Sequence, residues 1–137
     1  MDTTGRVEET KNEYISRSHA SEEAVGYTYL PLIVEQLQPL HPWKIILFGS
    51  YAYGNPDNQS DIDLLVVLNS EHIPQSFHDN MQNKLLVRKA LWELSKQVSI
   101  DLVVHTKPMY QKFQELGSLF AREILQRGKI LYETDNS

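Results

Sequence analysis

The stretch GSYAYGNPDNQSDIDLLVVL, residues 49–68, sets two aspartates one residue apart at the head of an apolar run. The run "DIDLLVVL" reads as a strand, favoured by its β-branched residues. "NPDNQS", just before it, is dense in turn formers and reads as a loop. Upstream, "WKIILFGS" reads as another buried strand, Lys44 to Phe48, stopped by Gly49. Residues two apart on a strand point the same way, so Asp61 and Asp63 face one side and Ile62 the other. Two carboxylates so placed repel, and partial burial sharpens the repulsion. Either one takes a proton or a cation neutralises both. Oxygen ligands with no His or Cys nearby suit Mg2+ or Mn2+. Leu64, Leu65, Val66 and Val67 anchor the pair in the core and give it the rigidity a catalytic metal site requires.

Working outward, "SIDLVVH" supplies a third carboxylate, Asp101, on another apolar strand. If the two strands are neighbours, Asp101 stands beside the pair. Three carboxylates can then hold two divalent ions roughly 4 Å apart, an arrangement used for in-line phosphoryl or nucleotidyl transfer. A glycine directly after a strand lets backbone N–H groups approach a phosphate, which is the expected role of Gly49. Ser50 adds a hydroxyl and is expected to cap a short helical turn through Tyr51 and Ala52.

The flanks complete a mixed order of helices and strands. Residues 1 to about 20 lack an apolar period and read as a mobile lead-in; residues 21–137 read as the folded domain. Ser21, Glu23, Val25, Tyr29, Leu32, Ile33 and Leu37 suggest a capped amphipathic helix ended by Pro39 and Pro42. A long helix is expected from Gln75 or Ser76 to about Gln97, with Phe77, Met81, Leu85 and Trp92 along its apolar stripe. Arg88 falls on that stripe, between Leu85 and Trp92. Met109, Phe113, Leu116, Phe120 and Ile124 mark further helix after Pro108, weakened or split at Gly117 and closed at Gly128. "KILYE" is a short last strand. The order α-β-β-α-β-α-β predicts an α/β fold, a small mixed sheet with helices packed mainly on one face.

Bulk properties narrow the function. The 137 residues carry a formal charge of −5 and no visible basic patch, so nonspecific nucleic-acid binding is not expected, although metal ions would still let a nucleotide bind. No apolar run is long enough for a bilayer, and the polar opening "MDTTGRVEETKNEY" is unlike a secretory signal. The lack of cysteine rules out disulfides and thiolate metal sites, and fits a reducing cytoplasm. His19, His41, His72, His78 and His105 show no metal-ligand spacing. Trp43 and Trp92 are expected in the core.

Gly49-Ser50, ten residues, then Asp61-x-Asp63, with Asp101 in a later "IDLVV", resembles the signature of the DNA polymerase beta-like nucleotidyltransferases. The phrase "FGSYAYGNPDNQSDIDLLVV" looks most like the minimal nucleotidyltransferases, and the likeness covers roughly residues 24 to 133. The resemblance implies the polymerase beta-like nucleotidyltransferase fold. It also implies an Mg2+-dependent enzyme using ATP, with Asp61, Asp63 and Asp101 as catalytic metal ligands and Gly49 and Ser50 holding phosphates. Many minimal nucleotidyltransferases are antitoxins paired with a HEPN-domain toxin, an RNA-cutting nuclease. The resemblance therefore implies a type VII-like antitoxin that moves AMP from ATP to a tyrosine of a HEPN partner. One departure stands out: many relatives read Gly-Ser-x-Ala-Arg-Gly, and here the basic position is Tyr53.

Two other functions fit the same residues. One is a binding module that blocks its toxin by contact, with a vestigial nucleotide site. The other is nucleotidylation of a small-molecule hydroxyl. Larger relatives carry extra acceptor-binding domains, so a chain of this size is expected to find its acceptor on another protein.

Overall fold

The computed structural model describes residues 25–134, so the expected lead-in and the cap at Ser21 lie outside the described residues. Four strands form one mixed sheet: β1 (Pro42–Phe48), β2 (Ile62–Leu68), β3 (Ile100–His105) and β4 (Lys129–Glu133), in the order β3-β2-β1-β4. β1 runs antiparallel to both β2 and β4, and β2 runs parallel to β3. The β2–β3 register sets Asp63 directly opposite Asp101.

Both faces of the sheet are covered, which is why β2 reads as a continuous apolar run rather than an alternating one. The larger core lies on the face of Ile45, Leu47, Leu64, Val66, Leu102 and Val104. Ile33 and Leu37 of helix α1 (Leu30–Leu37) complete it, with Val87 of helix α3 (Phe77–Ala90), Leu91, and Leu94 of the short helix α4 (Trp92–Ser95). A smaller cluster of Ile46, Leu65, Val67, Tyr110 and Ile124 fills the opposite face. Helices α5 (Lys107–Leu116) and α6 (Leu119–Arg127) cover that side.

Local chemistry sets several boundaries. The expected first helix is a 3-10 turn, Val25–Tyr29, followed by α1. Pro31 sits in the first turn of α1, where its missing N–H costs nothing, and so restarts the helix there. Gly117, at φ 58°, ends α5 in the left-handed region, and the Ser118 hydroxyl caps α6 by accepting from the Ala121 N–H. The long helix is interrupted at Leu91, and its buried face is not the expected stripe. Phe77 is 81% exposed and Trp92 60%, and Leu85 also points outward. Val87, Leu91 and Leu94 face the core instead. The half-buried amides Asn80 and Asn83 lie on the inward turns, where they disguise the apolar period. Trp43 is partly buried, edge-on to Tyr110.

Candidate active site

The site grows from the end of β1. Gly49 has φ 75° and ψ −161°, a region open almost only to glycine. This turn starts helix α2 (Ser50–Tyr53), in which the N–H groups of Ala52 and Tyr53 both donate to the Gly49 carbonyl. Gly49 itself takes the capping position, and among the described residues Ser50 has no side-chain hydrogen bond. Its expected capping role is therefore absent, and the hydroxyl is left available. Gly54, at φ 87°, closes the turn by donating to the Ser50 carbonyl. From behind, the Tyr27 hydroxyl donates to the Tyr51 carbonyl at 2.9 Å, and the two rings meet edge-on. Gly26 leaves no room for a side chain against the Tyr51 ring, so the N-terminal turn clamps α2 in place.

Between α2 and β2 the loop folds on itself. Asp57 Oδ1 accepts from the Gln59 N–H at 2.8 Å and from the Ser60 hydroxyl at 3.2 Å. That Asx turn delivers Asp61 to the mouth of β2. Asp61 is exposed and lines a cleft of ≈ 680 Å³ with Tyr51, Asn58 and Val98. Asp63 is half-buried on the strand, and Asp101 is exposed beside it. Gly49 presses on this pair: a Cβ built there would overlap Asp63 Oδ2.

Electrostatics match this crowding. Burial, then the Asp101 carboxylate, then that of Asp61 push the Asp63 carboxyl up to about 6. Among the described residues no Lys, Arg or His pairs with any of the three. No ion pair among the described residues offsets this charge.

Among the described residues no three His, Cys, Asp or Glu side chains gather into a metal-binding cluster. Asp63 and Asp101 face each other, while Asp61 sits just outside the strand. Magnesium does not need a full protein cage. It takes one or two carboxylates and completes its shell with phosphate oxygens and water. Asp63, raised toward protonation by burial and by the neighbouring carboxylates, and Asp101 opposite it fit that mode.

The model of the nucleotidyltransferase domain family matches residues 29–132. The chain belongs to this family. A candidate protein adenylyltransferase of Methanocaldococcus jannaschii is 33% identical over 89 residues, covering 65% of this chain and 77% of that protein. A candidate nucleotidyltransferase from Sulfolobus solfataricus has a similar fold, with TM-score 0.54, 17% identity, and coverage of 93% of this chain and 94% of that one. A chain of a toxin–antitoxin crystal structure containing AMP-PNP is similar at TM-score 0.52 and 23% identity, covering 77% of this chain and 74% of that chain. The protein is thus a nucleotidyltransferase with the mixed α/β fold of that family.

The five candidate residues Gly49, Ser50, Asp61, Asp63 and Asp101 all lie at one end of the sheet. Arg88 does not pack inward. It is exposed, in a surface groove with Leu85, Leu86 and Trp92. Sequence reasoning missed a cluster at the other flank of Gly49. The Arg127 guanidinium lies 3.8 Å from the centroid of the Tyr53 ring and 3.7 Å from Glu123. Tyr53 carried a signal, as an uncharged residue where a base was expected, but its partner is remote in sequence. No helix among the described residues is long and apolar enough to cross a membrane.

Proposed function

We propose that this nucleotidyltransferase moves AMP from ATP to a tyrosine hydroxyl of a partner HEPN ribonuclease, with magnesium, and thereby silences the partner. The observation that carries the reading is the in-register Asp63–Asp101 pair beside Gly49, with Asp61 at the strand mouth and, among the described residues, no ion pair to any of the three. The likeness to a candidate protein adenylyltransferase supports a protein acceptor. The HEPN identity of the partner rests on the family resemblance of the Gly49–Asp63 signature.

Asp61, Asp63 and Asp101 would hold magnesium, which when bound supplies charge neutralisation at the phosphates and a lowered pKa for the acceptor hydroxyl. The backbone turn at Gly49 and Ser50, with the Ser50 hydroxyl, would hold the phosphate chain. Asp101, exposed at the rim, orients the acceptor hydroxyl and accepts its proton. The acceptor oxygen bonds to the α-phosphorus. The bond from that phosphorus to the bridging oxygen breaks, and pyrophosphate leaves with the electron pair.

The test mixes the protein with labelled ATP, magnesium and the product of the neighbouring gene, which this reading expects to be a HEPN protein. Label should appear on a partner tyrosine, and the doubly substituted D61N/D63N chain should neither label nor neutralise the partner. An unlabelled partner, with an active control enzyme in parallel, refutes the transfer. Neutralisation that survives D61N/D63N would show that contact alone suffices.

A further inference from the structure

A nucleoside triphosphate brings several negative charges to a chain that is already at −5 and to a site built on three carboxylates. Divalent ions offset part of that charge. The outer phosphates still call for a fixed cation, and neither Gly49 nor Ser50 carries one. The fold supplies a guanidinium from a distant element. Helix α6 lies over the end of β1, with Phe120 edge-on to Phe48 at 5.5 Å between centroids. Phe48 is the cross-strand neighbour of Asp63. Two turns further along α6, Arg127 stacks on Tyr53, four residues after Gly49.

The Tyr53 ring is itself fixed. Burial, then the Glu123 carboxylate, raise the pKa of its hydroxyl, and the Gly49 backbone opposes them, so the hydroxyl sits between α6 and the phosphate loop. Arg127 is exposed, and its 3.7 Å contact with Glu123 is loose for an ion pair, so the guanidinium keeps donors for a ligand. Across the end of the sheet the order is Asp101, Asp63, then Gly49, then Tyr53 with Arg127. A triphosphate whose α-phosphate lies at the carboxylates and whose chain crosses Gly49 runs toward Arg127.

We propose that Arg127 binds the outer phosphates of the nucleoside triphosphate, held in place by stacking on Tyr53. Planar, always charged and able to donate two bonds at once, Arg suits phosphate better than Lys does. The same contact would stabilise pyrophosphate as it leaves. This inference rests on the nucleotidyl-transfer reading above.

Calorimetry with magnesium and either ATP or AMP tests it on wild type, R127A, K129A and the double variant Y53R/R127A. Losing one charge-assisted phosphate contact should weaken ATP binding about 10- to 100-fold. AMP binding should stay within about twofold, because AMP lacks the outer phosphates, and K129A, an exposed change of the same sign nearby, should also shift ATP affinity by no more than about twofold. Y53R/R127A, which returns a guanidinium to the same place, should recover most of the loss. ATP affinity unchanged in R127A, or an equal loss for AMP and ATP, overturns the proposal. Should wild type bind ATP through Arg127 yet label no acceptor, the transfer reading falls and Arg127 stands. Should wild type bind no ATP, both fall.

Discussion

Replacing Asp63 with Asn should stabilise the metal-free protein at neutral pH, although it removes a carboxylate of the proposed active site. Asp63 sits at about 6 against an ordinary carboxylate value of 3.8. A folded-state pKa raised above the unfolded one means that the native chain holds its proton longer. The stability from protonated Asp63 is complete below pH 4 and is lost as pH rises through 6. Taken at face value, that displacement corresponds to about 3 kcal/mol. Asp63 is only half-buried, and solvent screening leaves about 1 kcal/mol. In EDTA, D63N should therefore match wild type near pH 4 and melt about 3–5 °C higher at pH 8. Groups that titrate elsewhere cancel in the difference between the two chains. Thermal melts across pH 4–8, read by circular dichroism, measure that difference. Magnesium should then raise the melting temperature of wild type and leave D63N where it was. An Asn variant that is no more stable at pH 8 would refute the idea that three uncompensated carboxylates crowd this corner.

Three further outcomes follow from the geometry. Gly49→Ala should lose about 1–3 kcal/mol from its backbone conformation alone, measured by urea unfolding, and lose nucleotidyl transfer further because the new methyl displaces Asp63. Asp101→Asn should lower kcat for labelling by about 100-fold or more if it accepts the acceptor proton, with the chain still folded, since that side chain is exposed. Leu65→Ala, fully buried beneath α5 and α6, should cost about 2–5 kcal/mol in the same unfolding assay.

What could be read from the sequence was local. Gly49, the turn formers of residues 55–60 and the run from Ile62 define a strand, a tight turn, a loop and a strand without help from the rest of the chain. Gly117 split its helix for the reason glycine usually does, by taking the left-handed conformation. The neighbourhood of β2 and β3 depends on a crossover through α3 and α4, and no local preference encodes it. Asp101 was therefore a conditional third carboxylate until the register set it against Asp63. The face of α3 was misread for a different reason. Large apolar residues normally mark the core, and here Phe77, Leu85 and Trp92 point outward while Asn80 and Asn83 turn in. Tyr53 and Arg127 meet only because β4 pairs with β1 and brings the end of α6 to the turn after Gly49.

Parallel pairing has one last consequence. The gap between Asp63 and Asp101 is set by the ladder of main-chain bonds joining their strands, about 4.8 Å from one to the next. A ruler made of backbone does not stretch when surface loops are exchanged. Descendants of this chain can change the rim around the pair while the spacing of the two carboxylates stays constant.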